Sequence, residues 1–305
     1  MEEMRETFGK YLATLGSEYD NMYVLDADLK TSTRTVLFED VYPKRFVQCG
    51  IAEQNMVGIS AGLALEGKIP VICTFAAFLS QRVLDQVNTS LAYPHINVKL
   101  AAAYSGIYAS MCGATHQSLE DLAIMRAMPG MYVAAPGDNR ELQQVMKAAM
   151  EHEGPVYYRV NRGAPDSSIS DGHTFSWGKG HVLREGDDIT IVSTGITSQW
   201  ALEAANKLSS YGVSARVLHM PSIKPFDEEL LIKAAKETGQ VFTVENHSVI
   251  GGLGGLVAEV LSYHHPTRIV RIGIQDHFCE TAADDVLTEH YGIGCDAIVE
   301  RILEK

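Results

Sequence analysis

The apolar positions of this chain fall into short runs that alternate with longer segments of helical period. In the first half, 22–25 reads as a buried strand, followed by a loop over 26–35. A strand at 46–48, a helix over about 55–65 and a strand at 71–73 come next. The pattern continues with a helix over 82–92, a strand at 98–102, a helix over 119–128 and a strand at 131–133. A helix over 140–151 and a strand at 156–158 complete the half. Short β-rich runs separated by helical patterns predict βαβ units and a mostly parallel sheet.

The periodicity then lapses. Residues 163–177 are rich in Gly, Pro, Ser and Asp and carry no apolar period, which predicts a linker. Alternation restarts with strands at 189–192, 215–218, 241–244 and 269–272. Between and after them lie helices over 199–209, 228–236 and 255–261, with more helix from about 283. The expected fold class is α/β, as two consecutive three-layer αβα domains with mostly parallel sheets. The expected boundaries are 1–165 for the first domain, 166–177 for the linker and 178–305 for the second.

A length of 305 residues is about two domains' worth of sequence, and 46% hydrophobic with 21% charged residues suits a water-soluble α/β protein. The formal net charge of −13 argues against a nucleic-acid surface or a polybasic membrane contact. It leaves room for a small anionic substrate, because a local arginine pair can dominate a pocket. The five cysteines, Cys49, Cys73, Cys112, Cys279 and Cys295, show neither metal spacing nor a disulfide framework, as expected in a reducing compartment. The acidic start opens straight into an amphipathic helix, unlike a signal peptide, and no apolar run is long enough to span a bilayer. A cytoplasmic location is expected.

The most informative short stretch is Gly50-Ile51-Ala52-Glu53-Gln54-Asn55-Met56. It puts one carboxylate in the turn between a short apolar strand and a long apolar helix. Taken alone, an acid there complements the helix dipole and caps free backbone donors. In an open parallel sheet, however, ligands sit beyond the carboxyl ends of strands. Glu53, Phe75 and the loop ending in His116 all follow predicted strands.

These residues resemble the transketolase family. The stretch around Glu53 is similar to the glutamate motif of that family's pyrimidine-binding domain, where the carboxyl group hydrogen-bonds the aminopyrimidine of thiamine diphosphate. There the acid favours the imino tautomer, which lets the cofactor's own amino group deprotonate the thiazolium carbon. Such an acid has to be buried, and Ile51, Met56 and Val57 supply apolar neighbours. In Thr74-Phe75-Ala76-Ala77-Phe78, the phenylalanine pair resembles the one that stacks on the pyrimidine. Gln81 stands where a third aromatic is common, making the slot more polar on one side. Gly113-Ala114-Thr115-His116-Gln117 resembles the family's Gly-x-Thr-His-Gln segment, which implies that His116 contacts the donor sugar and moves protons.

Arg5, Ser32 and Arg162 fall where phosphate ligands lie in sugar-phosphate transketolases, and Asp28 matches an aspartate near the thiazolium side. Tyr104 stands where the family often has histidine, and Cys112 where it often has aspartate. Those positions touch the substrate's phosphate end and a hydroxyl, so they put the sugar in question but not the reaction class. Gly251-Gly252-Leu253-Gly254-Gly255 fails the dinucleotide fingerprint because Val257 occupies the third glycine's place.

The family's diphosphate and magnesium signature is Gly-Asp-Gly followed by a distant asparagine. Gly137-Asp138-Asn139 and Gly186-Asp187-Asp188 both fail it. The resemblance therefore implies the C-terminal subunit of a split transketolase, with no metal ligand of its own. A separate N-terminal subunit would bring the diphosphate and Mg2+ site, in a heterotetramer of two chains of each kind. The implied reaction moves a two-carbon glycolaldehyde unit from a ketose phosphate to an aldose phosphate. Three alternatives are a 1-deoxyxylulose-5-phosphate synthase-like enzyme, a 2-oxo acid dehydrogenase beta subunit and a catalytically silent binding subunit. The synthase shares Gly-Ile-Ala-Glu-Gln and Thr-His-Gln, and 82–86 resembles one of its segments.

Overall fold

A computed structural model describes residues 2–165 and 169–304. Its strands in chain order are β1 (Met22–Asp26), β2 (Phe46–Gln48), β3 (Ile69–Phe75), β4 (Lys99–Ala103), β5 (Tyr132–Ala134) and β6 (Val156–Val160). They continue with β7 (His181–Arg184), β8 (Ile189–Ser193), β9 (Ala215–His219), β10 (Ser222–Lys224), β11 (Gln240–Ser248) and β12 (Arg268–Ile274). One sheet runs β10-β5-β6-β4-β3-β1-β2 and the other β12-β11-β8-β9-β7. All pairings are parallel except β10 with β5 and β7 with β9. Helices flank both sheets, giving two αβα layers as the periodicity predicts.

Central parallel strands are covered on both faces, so their sequences are apolar at nearly every position. Alternation still decides which core each side chain joins. Val24, Val71, Ala101 and Tyr158 point to one face, where Met4, Phe8 and Leu12 of the first helix (Met4–Glu18) cover them. Leu25, Ile72, Leu100 and Tyr157 point to the other face. That second core continues without a break through Leu218, Val241 and Leu253 of the second sheet's layer, so the two units share buried apolar surface. Ile191, Val217 and Phe242 form a further core on the far side of the second sheet.

Four features depart from the sequence expectations. Strand β10 belongs by sequence to the second half, yet it adds an antiparallel edge to the first sheet. The helix expected over 82–92 is a run of short pieces: π-helical Phe78–Arg82, α-helical Leu84–Val87 and π-helical Asn88–Ala92. The loop expected over 26–35 contains a short helix, Lys30–Thr33. Of the expected linker, residues 166–168 lie outside the described residues, while Phe175 and Trp177 pack on the first core.

No helix of the described residues is long and apolar enough to cross a membrane.

A buried ion pair ties the units together. Arg159 on β6 donates to both oxygens of Asp121, Nε at 2.9 Å and Nη2 at 2.5 Å, while Tyr157 Oη donates to the same carboxylate at 2.6 Å. Arg159 Nη1 reaches across to the carbonyl of Asn246 on β11 at 3.0 Å. Asn246 Oδ1 in turn accepts the backbone N–H of Ile107 at 3.0 Å. Gly106 is needed for that approach: its φ is +65°, and a Cβ there would lie 2.3 Å from the Asn246 side chain.

Candidate active site

Glu53 opens the helix Glu53–Leu65 directly after the turn that leaves β2. The residue is 3% exposed, beside the fully buried Met56 and Val57. Ile51 departs from expectation: it is 77% exposed and does not shelter the carboxylate from water. Its charge is met by an ion pair, with Arg82 Nη1 donating to Glu53 Oε1 at 2.5 Å. Glu53 is thus a buried, ion-paired carboxylate in the wall of a cleft.

The cleft has a volume of about 390 Å³ and is lined by Asp28, Leu29, Glu53, Phe78, Arg82 and His116, together with Ala27, Ile51 and Thr115. Phe75 ends β3, and the π-helical turn that follows carries Phe78 and Arg82 four residues apart. That spacing lays the Arg82 guanidinium over the Phe78 ring, 3.9 Å from its centroid. Phe75 and Phe78 stack with centroids 5.8 Å apart. His116 meets Phe78 edge-on at 5.1 Å, and its Nδ1 lies 2.9 Å from Thr115 Oγ1. A larger cavity of about 720 Å³ next door is lined by Gln54, Gln81, Leu84 and Met128 and shares Arg82, but contains neither Glu53 nor His116.

The ring series continues away from His116. Tyr104, just after β4, lies 4.4 Å from Phe75. Arg5 Nη1 donates to Tyr104 Oη at 2.7 Å and lies 3.4 Å from the carbonyl of Ser32. Arg5 is held from behind by Glu3, whose Oε2 accepts from Nε at 2.6 Å. The Arg162 guanidinium sits 5.6 Å from the Tyr104 ring centroid. Two guanidinium groups 157 positions apart in the sequence are therefore gathered around one phenol. Asp28 and Tyr104 both have positive φ, +64° and +57°. Non-glycine residues rarely adopt this conformation, and such strain concentrates at functional sites.

The structure thus brings together Glu53, Phe75, Phe78, His116, Tyr104, Arg5, Ser32 and Arg162, with Asp28 on the cleft wall. Gln81 turns elsewhere: its Nε2 donates to Glu120 Oε2 at 2.7 Å, and the residue does not line the Glu53 cleft. Cys112 is an exposed free thiol at the end of the 3-10 turn Ile107–Cys112. Sequence reasoning missed Arg82 as a site residue. The signal was present as an aromatic followed four residues later by arginine, but a regular helix over 82–92 puts those two residues in separate elements.

The family description "Transketolase, pyrimidine binding domain" matches residues 2–166, and "Transketolase, C-terminal domain" matches residues 178–298. The chain belongs to the transketolase family. It is 44% identical to a putative transketolase C-terminal section from Methanocaldococcus jannaschii, covering 99% of this chain and 96% of that one. It is 42% identical to a 6-deoxy-6-sulfo-D-fructose transketolase subunit from a Clostridium species, covering 97% and 92%. Among solved structures it is similar to a split-gene transketolase described as an inactive beta4 tetramer. That match has a TM-score of 0.92 at 45% identity and covers 100% of this chain and 98% of the other. Both relatives and this solved structure are separate chains of about the same extent as this one.

Proposed function

We propose that this chain supplies the pyrimidine-binding half of a thiamine-diphosphate-dependent ketol-transfer site and works with a separate N-terminal subunit that holds the diphosphate and Mg2+. One observation carries the reading: Glu53, a nearly fully buried carboxylate, shares a cleft wall with the stacked Phe78 and the imidazole of His116. An apolar, flat-sided slot with one acid at its edge fits an aminopyrimidine, which needs a ring contact and a proton partner. When bound, thiamine diphosphate supplies a thiazolium carbon that becomes a nucleophile once deprotonated.

Each side chain then has a role of its own. Glu53 holds the pyrimidine nitrogen and shares a proton with it. Arg82 now occupies Glu53 Oε1, and it keeps the acid paired until the ring arrives. Phe75 and Phe78 fix the plane of that ring. His116 donates to and accepts from substrate oxygens at the same cleft. Arg5 and Arg162, arranged around Tyr104 with Ser32, bind the distal anionic group of the sugar by charge-assisted hydrogen bonds. The partner is supported by the failed diphosphate signature in this sequence. It is supported too by the helix Glu53–Leu65, whose outer side leaves Leu65 73% exposed and Gly58 and Gly62 facing open space.

The anion assignment gives a direct test. Arg5→Ala or Arg162→Ala in the reconstituted complex should raise KM for phosphorylated sugars roughly tenfold to a hundredfold, the equivalent of about 1.5–3 kcal/mol for a charged hydrogen bond. KM for the unphosphorylated analogues should change little. Steady-state kinetics on both substrate types decide it, and equal loss on both rejects the assignment. Repeating the series with a sugar sulfonate tells which tetrahedral anion the pair prefers.

A further inference from the structure

Outside the cleft, three residues that converge each carry a buried polar atom with no partner. Glu141 Oε1, His173 Nε2 and His181 Nε2 are all buried and without a hydrogen bond. The ligand atoms of these three residues lie within 4.8 Å of one another, and His173 Nε2 is 3.7 Å from Glu141 Oε1. The two imidazoles stack with centroids 3.7 Å apart. An isolated buried carboxylate oxygen is costly, and two unpartnered imidazole nitrogens beside it add to the deficit.

We propose that Glu141, His173 and His181 form a site for a divalent transition-metal ion of the zinc class, distinct from the Mg2+ expected on the partner subunit. The donor set is two imidazoles and a carboxylate, which suits zinc-class ions and not the all-oxygen preference of magnesium. Tetrahedral coordination places ligand atoms roughly 3.3 Å apart and, with the ion in the plane of each imidazole, ring centroids roughly 5 Å apart, so binding requires the stacked rings, now 3.7 Å apart, to swing open.

The surroundings resemble a supported metal shell. The second carboxylate oxygen, Glu141 Oε2, accepts the backbone N–H of Gly137 at 2.6 Å and lies 2.8 Å from His219 Nε2. His219 Nδ1 is in turn 2.6 Å from Ser198 Oγ. These contacts fix the carboxylate's orientation while leaving Oε1 free. The His173 side chain is 13% exposed, which leaves an entry path. Glu141 lies on the helix Asn139–Glu151, His173 on the connecting segment and His181 on β7. The ion would clip that segment between the two units.

Chelator-stripped full-length chain, titrated with Co2+, tests this. The expected result is the intense visible absorption of tetrahedral cobalt, saturating at one equivalent and displaced by Zn2+. Zn2+ should also raise the thermal midpoint of the stripped chain. His173→Gln with His181→Gln should abolish the band, while the control His95→Gln keeps it. If the double variant does not fold, His173→Gln alone serves, with Zn2+ affinity expected to fall by about a hundredfold or more, beyond the loss from removing an outer-shell partner. No cobalt band, a band that survives the double variant, or a thiolate-to-cobalt charge-transfer band placing the ion on cysteines would each overturn the proposal.

Discussion

Glu53→Gln in the assembled enzyme should leave both subunits associated and lower turnover by at least about a hundredfold, the lower range for a positioned acid–base group. Glutamine keeps the size of the side chain and can still hydrogen-bond, but it cannot share a proton with a pyrimidine nitrogen. It also removes the charge that Arg82 pairs with at 2.5 Å. Arg82 itself is 43% exposed, so its lost partner is replaced by water and the fold should persist. The decisive readout is exchange of the cofactor's thiazolium proton, followed by NMR in deuterated buffer, because it isolates activation from sugar chemistry. Exchange should slow in step with turnover. Exchange at the wild-type rate in the variant would reduce Glu53 to a structural residue.

The second large effect concerns stability. Asp121→Ala leaves the Arg159 guanidinium, 5% exposed, without its bidentate partner. Removing one member of a buried pair costs about 3–5 kcal/mol, equivalent to a fall of roughly 5–8 °C in the thermal midpoint of a chain this size. Replacing both partners with apolar residues, as in Asp121→Leu with Arg159→Met, should recover much of the loss, since no orphaned charge remains. A double variant as unstable as the single one would show that the network acts through something other than the charge pair. The pair also has a pH signature. Burial raises the Asp121 carboxyl, but the charge and hydrogen bonds of Arg159 outweigh it and leave the group below its ordinary value. Its contribution is therefore present above the unfolded aspartate's pKa of about 3.9 and is lost as pH falls through the lower folded value. Acid titration of the unfolding midpoint should show Asp121→Ala converging on wild type only below about pH 4.

Much of this architecture was legible in the chain. The apolar runs of β1, β3, β4, β6, β8, β9 and β11 marked central strands because burial on both faces demands near-continuous hydrophobicity. Strands β7 and β10 carry no such signal. Each pairs on one side only and is antiparallel, so its residues need not be uniformly apolar, and β10 joins the sheet of the other unit. Glu53, Phe75, Phe78 and His116 were legible because motif residues and strand ends coincide. The ion pair between Arg82 and Glu53 was not, because a π-helical turn shifts side chains off the regular helical register. The cluster of Glu141, His173, His181 and His219 was illegible for a different reason. Its members are scattered from residue 141 to residue 219 on a helix, a connecting segment and two strands, and only the packing of the two units brings them together.

The central claim is that this chain holds half of a thiamine site. Isothermal titration with thiamine diphosphate and Mg2+ tests it most directly, on the purified chain alone and on the chain mixed with an N-terminal companion bearing the Gly-Asp-Gly…Asn signature. The chain alone should bind the cofactor weakly or not at all, and the mixture should bind one equivalent per pair of subunits. Tight stoichiometric binding by the single chain, with no gain from the companion, would contradict the account.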